Sequence, residues 1–339
     1  MTDKEIRITE LLKNANHAIE SNHFSLIPSY VQTILQEHPD WFDERLQAEL
    51  GMIEKQMEYK MQLKDWEYFR VMKLVYRYCE QQYATEEVLG KSDARISTDE
   101  LPDKDVIWWC WLQGLEQAPA IVQACYQSLK KLNRKIVVLT SENIGDYISF
   151  PDWIEEAREK GILDRTHYSD LVRLELLTTR GGTWIDATVF CTDAAVISDV
   201  LEHDPLFCYS FLMRDSVSDC MMFDNWFLHC TKPSKILMET KQMLYAYWKR
   251  EKVLHHYFLF HLMFSIACRR NPKEMEQIPL YSNEPVHMLQ TELLKPYSER
   301  RWKQICGMSG IHKLTYKYDE KAEIKGTMLE HILETIHSL

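Results

Sequence analysis

The sequence predicts an α/β fold, in which a mixed and mainly parallel sheet is flanked by helices and follows a helical N-terminal appendage. Of the 339 residues, 45% are hydrophobic and 27% are charged, as in folded globular chains. Strand and helix patterns alternate from residue 106 onwards, which favours parallel strands joined by helical crossovers. The preceding residues show a helical apolar period without strand patterns.

Residues 1–83 form the predicted appendage. Apolar residues recur at spacings of three and four along Ile6–Leu12 and along Met57–Met72. Basic and aromatic residues are interleaved along Met61–Tyr78. This pattern is typical either of a surface that contacts a membrane or a partner, or of a packed helix with one solvated side. The sequence by itself leaves both interpretations open.

A linker over 84–105 is predicted to separate the appendage from the main domain, 106–339. The helical period is lost in the linker, charged residues are frequent, and Gly90 and Pro102 occur. Glycine and proline interrupt regular structure, because one relaxes the backbone and the other lacks an N–H donor. The length of the chain also fits about two domains.

A βαβ unit opens the predicted main domain. Val106–Trp111 is a β-branched and aromatic run typical of a strand. Pro119 suits the first turn of a helix, which continues to Leu132. Lys135–Thr140 then has the apolar pattern of a buried strand. Two strands joined by a helix in this way are parallel.

Two helices and a strand follow this unit. The first helix covers Trp153–Lys160, and the second covers Ser169–Arg180 and ends at Gly181-Gly182. A strand is predicted over Thr183–Phe190. The remaining predicted elements are strands near Leu206–Met213 and Met221–Leu228, and helices near Ser234–Lys249 and Val253–Arg269.

Composition excludes several classes of function. The 40 Lys and Arg residues against 51 Asp and Glu residues give a net charge of −11, so we expect no nucleic-acid partner. Neither of the glycine-rich phosphate motifs, GxGxxG and GxxxxGK[ST], occurs. The nine cysteines are scattered and never spaced as CxxC, which fits a reducing compartment. With no secretory signal and no long apolar run, we expect a cytoplasmic protein.

Asp170 and Arg173 are the first candidate functional residues. They lie three positions apart near the start of a predicted buried helix, and therefore on one face of it, with Ser169 as the expected N-cap. One interpretation is that they pair with each other and cap the helix. The other is that they bind a ligand.

The strand that follows favours the ligand interpretation. With a period of two, Trp184, Asp186 and Thr188 project to one face. Ligand sites in open α/β sheets lie beyond the carboxyl ends of the strands. A carboxylate in that position suits Mg²⁺ or Mn²⁺ together with phosphate oxygens. The sequence thus predicts a nucleotide-diphosphate site.

The string SDLVRLELLTTRGGTWIDATV, Ser169–Val189, resembles the central motif of family 32 glycosyltransferases, and most closely that of the capsular polysaccharide synthesis proteins. The resemblance extends over Pro102–Val196 and includes the blocks IWWCWLQGLEQAP and SENIGDYISFPDWI. It continues more weakly through DNWFLHCTKPSKIL, YFLFH and IHKLTYK. It implies a GT-A-type, Rossmann-like fold, a UDP-sugar or other nucleotide-sugar donor, a divalent cation, and transfer with retention of anomeric configuration.

The resemblance also implies roles for individual residues. The second position of the metal-binding aspartate pair is Thr188, so the cation is held more weakly or by additional groups. Two further pairs have weaker support: Asp224 and Asn225 line the sugar pocket or belong only to the fold, and His312 and Lys313 close over the diphosphate or lie on a solvated face. The remaining roles are base stacking by Trp111, with Trp109 as the alternative; hydroxyl binding by Asp170 beside Ser169; sugar–phosphate binding and catalysis by Arg173; and nucleotide-sugar, metal and catalytic contacts by Trp184 and Asp186.

The sequence therefore predicts a nucleotide-sugar-dependent glycosyltransferase of capsular or surface polysaccharide synthesis. We expect a glycan or lipid-linked glycan as acceptor, at the inner face of the plasma membrane, with the appendage in peripheral contact. One alternative is a degenerate fold of the same type that binds nucleotide-sugar or glycan without turnover. The other is a scaffold that acts through residues 1–83. The oligomeric state is left open.

Overall fold

The computed structural model describes residues 3–20, 33, 71–90, 99–211, 220–251, 253–318 and 322–337. The chain divides into two compact units, Met1–Met72 and Lys73–Leu339. In the first unit, helix α1 covers Asp3–Glu20 and buries Leu11 and Ala15 at a spacing of four. Most of the predicted helical stretch Met57–Met72 lies outside the described residues, as does the first part of the basic and aromatic stretch.

Among the described residues of the second unit, seven strands form two sheets. In the five-stranded sheet, the order is β2-β1-β3-β6-β5. Strands β2, β1 and β3 are parallel, whereas β6 runs antiparallel to both β3 and β5. Strands β4 and β7 pair antiparallel in a separate two-stranded sheet. The strands are β1 Ile107–Cys110, β2 Ile136–Leu139, β3 Gly182–Ile185, β4 Val189–Cys191, β5 Leu206–Ser210, β6 Phe223–Cys230 and β7 Ile311–Lys313.

Helices flank the larger sheet, so the predicted mixed α/β architecture is confirmed. Helix α4 packs against β4 and α13, while α6 packs against β3, β6 and α8. The described helices from residue 71 onwards are α2 over residues 71–83, α3 Glu86–Leu89, α4 Ala120–Leu129, α5 Asp152–Glu159, α6 Arg165–Thr179, α7 Ala195–His203, α8 Lys235–Arg250, α9 Leu259–Arg270, α10 Pro272–Met275, α11 Glu284–Glu292, α12 Glu299–Met308 and α13 Met328–His337.

Helix α6 begins four residues earlier than predicted. Its N-cap is Asp164, whose side chain accepts a hydrogen bond from the backbone N–H of His167. Ser169 is therefore inside the helix, where its hydroxyl donates to the carbonyl of Thr166. The expected cap at Ser169 was wrong because aspartate three residues before an N–H is an equally strong cap, and only the fold selects between them.

The single strand predicted over Thr183–Phe190 is two strands in different sheets. Strand β3 ends at Ile185, and the chain turns so that the N–H of Val189 donates to the carbonyl of Asp186 at 3.0 Å. The prediction that three polar and aromatic side chains share one strand face was therefore wrong. The alternating pattern continues through the turn, which is why the sequence alone did not reveal it.

The glycine pair at the start of β3, whose second member is the first residue of the strand, allows the strand to approach its neighbours. Gly182 has a φ of 96°, and a Cβ atom there would lie 2.5 Å from the carbonyl oxygen of Val106. At Gly181, with a φ of 75°, a Cβ atom would lie 2.7 Å from Leu101. Both conformations favour glycine because a side chain would be strained and would clash. The pair thus fixes where β3 starts and where its carboxyl end lies.

Candidate active site

The candidate site lies at the carboxyl end of β3, where Arg173 joins two carboxylates. Its Nη2 is 3.3 Å from Oδ1 of Asp170 on the same helix and 3.5 Å from Oδ1 of Asp186, directly after β3. Arg173 and Asp170 are buried, whereas the Asp186 side chain is 25% exposed. The predicted pair on α6 therefore exists, and it extends to a third residue from a different element.

Several contacts fix the orientation of Arg173. Its Nη1 donates to the carbonyl of Asn225 on β6, and its Nη2 donates to the Ser169 hydroxyl at 3.3 Å. The guanidinium lies over the Trp184 ring, with Cζ 4.9 Å from the centroid. The Asn225 amide also donates to Oδ1 of Asp170 at 3.0 Å. The cation is thus held in one orientation before any ligand binds.

Lys313 brings a second cation to the site from the end of β7. Its Nζ lies 2.8 Å from Oδ2 of Asp186 and 2.7 Å from Oγ1 of Thr188. The Trp184 indole N–H donates to Oδ1 of Asp186 at 2.8 Å. Both oxygens of the Asp186 carboxylate therefore accept hydrogen bonds, and the turn rather than a shared strand face brings Asp186 and Thr188 together.

The two carboxylates differ in acidity. Burial raises the pKa of Asp170, and the nearby positive charge of Arg173 offsets this only in part. Burial also acts to raise the pKa of Asp186, but the charges of Lys313 and Arg173 and the hydrogen bonds from Lys313 and Trp184 outweigh it, so that this pKa is lowered. Asp186 is therefore the firmly ionised member of the pair. Groups with shifted pKa values are common in functional sites.

Asp224 and Asn225 are neighbours in β6 and point to different partners. Oδ2 of Asp224 accepts a hydrogen bond from the Asn283 amide at 2.7 Å, and its Oδ1 lies 3.6 Å from Nε2 of His261. Side chains alternate along a strand, so only one member of the pair faces Asp170 and Arg173. Asn225 therefore joins the polar network of Asp170, Arg173, Asp186 and Lys313, whereas Asp224 contacts Asn283 and His261 instead.

His312 and Trp109 lie in the core, away from the network. His312 is fully buried, and its Nε2 lies 2.9 Å from Oγ1 of Thr192. Burial lowers the pKa of His312 to about 4. Trp109 is also fully buried and packs edge-to-face on Tyr126. Both side chains lie in the core, and their expected contacts with the nucleotide-sugar stay a prediction.

Trp111 is half-buried and remains the candidate for base stacking. Its ring packs edge-to-face against Tyr316, with centroids 5.4 Å apart. The sequence analysis overlooked Tyr316, although it follows Lys313 by three residues in the block IHKLTYK. It also overlooked Phe260 of the block YFLFH, whose ring lies 5.7 Å from the Arg173 guanidinium. Both residues lie in blocks that carried the resemblance.

A cleft lies beyond the carboxyl ends of β1 and β2, and neither of its two parts is lined by Asp170, Arg173, Asp186 or Lys313. One part has a volume of about 450 Å³ and is lined by residues that include Leu112, Ser141 and Phe150. A second part of about 530 Å³ shares Leu112 and Ser141, together with Arg158 and Tyr168. Tyr168 directly precedes Ser169 on α6. Clefts in this position of open α/β sheets are common ligand sites.

The residues present do not fit a divalent metal ion. Among the described residues, no group of three or more His, Cys, Asp and Glu side chains is arranged to hold one. The two expected ligands, Asp186 and Thr188, both bind the Lys313 ammonium, and the Arg173 guanidinium lies close to the same carboxylate. A hard divalent cation is held by one or two carboxylates together with phosphate oxygens, whereas here both oxygens of the one carboxylate already accept hydrogen bonds and two positive charges lie beside it.

The chain matches the family described as capsular polysaccharide synthesis protein over residues 54–332. No curated protein matches it. Among solved structures, 21 chains match, including one described as PaToxG glycosyltransferase, which is 11% identical. That comparison has a TM-score of 0.36 and covers 81% of this chain and 98% of the other. A likeness with so low a TM-score carries no argument about activity.

Proposed function

The chain belongs to the capsular polysaccharide synthesis protein family, and we propose that it is a glycosyltransferase that moves a sugar from a nucleotide-diphosphate sugar to a glycan acceptor. The observation that carries this proposal is the convergence of two cations, Arg173 and Lys313, on the Asp186 carboxylate at the end of β3. Two fixed cations at the carboxyl end of a strand are suited to a ligand that carries a diphosphate.

In the proposed reaction, the bond between the anomeric carbon and the diphosphate oxygen breaks, and its electron pair leaves with the diphosphate. The acceptor hydroxyl oxygen forms the new bond to the anomeric carbon, and its proton leaves to the departing diphosphate. Arg173 and Lys313 stabilise the negative charge that develops, because they are fixed before the reaction starts. Retention of configuration is carried into the proposal by the family resemblance alone.

Other residues have binding roles in this proposal. Asp170, held by Asn225 and Arg173, accepts hydrogen bonds from sugar hydroxyls. Trp111, which is half-buried, stacks on the base of the nucleotide. Asp186 keeps both cations in place and stays ionised because its pKa is lowered. A UDP-sugar is the proposed donor.

The proposed acceptor is a glycan or lipid-linked glycan of capsular or surface polysaccharide synthesis, in keeping with the family. Across the helices that the structure describes, none combines the length and the apolar character needed to span a bilayer. A membrane-bound acceptor would then be reached by peripheral contact. The interleaved basic and aromatic residues from Met61 onwards are the proposed contact segment.

The first test is a screen of UDP-, GDP- and other nucleotide-sugars by thermal unfolding and by release of free nucleotide. A donor present at about 100 times its dissociation constant stabilises the fold by about 2.7 kcal/mol, which is readily measured. We expect one donor to stabilise the wild type and to be slowly hydrolysed. In Asp186→Asn both effects should fall sharply, because the cations lose the charge that holds them.

Asp199→Asn is the matched control, because Asp199 is an exposed aspartate outside the site. It should behave as the wild type does. Stabilisation by a donor without hydrolysis or transfer would favour a second function, binding without turnover, for which Thr188 in place of an aspartate is the specific observation. Failure of every nucleotide-sugar to bind would contradict the proposed function.

A further inference from the structure

Strand pairing fixes the position of Lys313. Strand β7 pairs with β4 so that Lys313 lies opposite Val189, and the N–H of Leu314 donates to the carbonyl of Thr188 at 2.8 Å. The backbone after the lysine is thus attached to the turn that carries Thr188, and the backbone before it is paired with β4. A cation placed in this way belongs to the fold, unlike one on a flexible terminal segment.

The Lys313 ammonium lies between the two side chains that the sequence analysis expected to bind a divalent cation. It is 2.8 Å from the Asp186 carboxylate and 2.7 Å from the Thr188 hydroxyl. A metal ion in that position would have to displace the ammonium. It would also lie near the Arg173 guanidinium, which is 3.5 Å from Asp186, so like charges would repel it.

The ammonium is also available to a ligand. The side chain of Lys313 is 19% exposed, and that of Asp186 is 25% exposed. An ammonium group has three N–H donors, and the hydrogen bonds to Asp186 and Thr188 use two of them. The third donor can therefore bind a phosphate oxygen without breaking the existing contacts.

We infer that this enzyme needs no divalent metal ion, and that the Lys313 ammonium is the cation that binds and stabilises the departing diphosphate between Asp186 and Thr188. The inference rests on the proposed function. If the Lys313 ammonium takes the place of a divalent ion, a threonine at position 188 is expected, because it offers the ammonium a neutral oxygen beside the Asp186 carboxylate. A second carboxylate would favour a divalent ion instead. Lys313 acts here as a catalytic residue, because it contacts the leaving group.

The test measures binding of UDP and GDP by isothermal titration calorimetry, first in excess EDTA and then with Mn²⁺ or Mg²⁺. We expect one nucleotide to bind with the same affinity in all three conditions. Binding only with a metal ion would overturn the inference and leave the proposed function standing. No binding in any condition would overturn both.

Variants of Lys313 test its role directly. In Lys313→Met, we expect nucleotide affinity to fall about tenfold and turnover of the donor found in the screen to fall roughly 100-fold. Lys313→Arg should recover part of the affinity because it keeps the charge. Lys317→Met removes the same charge from an exposed position four residues away and should behave as the wild type. Unchanged binding and turnover in Lys313→Met, with its thermal unfolding intact, would overturn the inference.

A double variant, Thr188→Asp with Lys313→Ala, rebuilds a pair of carboxylates and removes the ammonium. We expect it to bind UDP or GDP more tightly with Mn²⁺ than with EDTA, in contrast to the wild type. The same affinity in both conditions would contradict the view that the lysine occupies the position of a metal. Circular dichroism of each variant provides the measure of folding.

Discussion

At the residue scale, Arg173 is the buried cation of the candidate site. Its guanidinium is buried and contacts Asp170, Asp186 and the carbonyl of Asn225. A buried charge is tolerated only when it is paired, and removing one partner leaves the others without compensation. The same residue therefore serves both the stability of the fold and the proposed reaction.

Arg173→Met is expected to lower the free energy of unfolding by about 3 kcal/mol or more, since two carboxylates lose their shared cation. Urea unfolding monitored by tryptophan fluorescence measures the change. Arg158→Met is the matched control, because Arg158 pairs with Glu155 at a partly exposed position, where a pair contributes about 1 kcal/mol or less. Similar losses of unfolding free energy in the two variants would mean that the buried pairs of Arg173 contribute no more to stability than a partly exposed pair.

His312 makes a separate prediction about pH. Its folded-state pKa is lowered from 6.5 to about 4 by burial, so the unfolded chain binds a proton first as the pH falls. Stability due to the neutral imidazole is present above pH 6.5 and is lost progressively between pH 6.5 and about 4. The full loss is up to about 3 kcal/mol.

In His312→Asn, the free energy of unfolding should therefore depend less on pH over this range than in the wild type. Chemical unfolding at pH 7, 6, 5 and 4 measures the slope. His203→Asn, at an exposed position, should leave the slope unchanged. An unaltered slope in His312→Asn would show that this histidine does not titrate abnormally.

At the scale of the element, short segments position the site. Strand β7 has three residues, and its pairing with β4 places Lys313 beside the turn after β3. Strand β3 has four residues, and its start depends on Gly181 and on Gly182, its first residue. Small displacements of either strand would separate the lysine from Asp186, because each contact spans less than 3 Å.

Gly182→Ala is expected to destabilise the fold by at least about 2 kcal/mol, because its φ is positive and the added Cβ would lie 2.5 Å from a backbone oxygen. Differential scanning calorimetry should show a lower melting temperature. Gly145→Ala is the control, since no heavy atom lies within 4 Å of the added Cβ there. Equal melting temperatures for the two variants would contradict this account of β3.

At the scale of the whole molecule, the family match starts at residue 54 and ends at residue 332. It therefore begins in the first compact unit and continues through the second, which starts at Lys73. The predicted boundaries at 83 and 105 stay a prediction. The mixed α/β architecture and the membership of the capsular polysaccharide synthesis family are confirmed. Both could be predicted because the alternation of strands and helices and the long motif of α6 and β3 extend over many residues of the sequence.

Local spacing was sufficient to predict part of the candidate site. Asp170 and Arg173 share a helix face because they are three residues apart, and Asp186 follows a strand whose apolar pattern is clear. Spacing was insufficient where elements change direction. The turn after Ile185 and the earlier start of α6 both depend on hydrogen bonds that compete with equally plausible local ones.

Periodicity and motifs of adjacent residues were sufficient to predict the elements from β1 to β3, the family and several of the central polar residues. The tertiary structure alone decided which of them meet. Lys313 is 127 positions from Asp186 along the chain, and only the β4–β7 register brings them within hydrogen-bonding distance. Strand alternation likewise brings Asn225 rather than Asp224 to Asp170, and long-range packing buries Trp109 and His312. Such contacts depend on long-range packing, for which a single sequence carries no local signal.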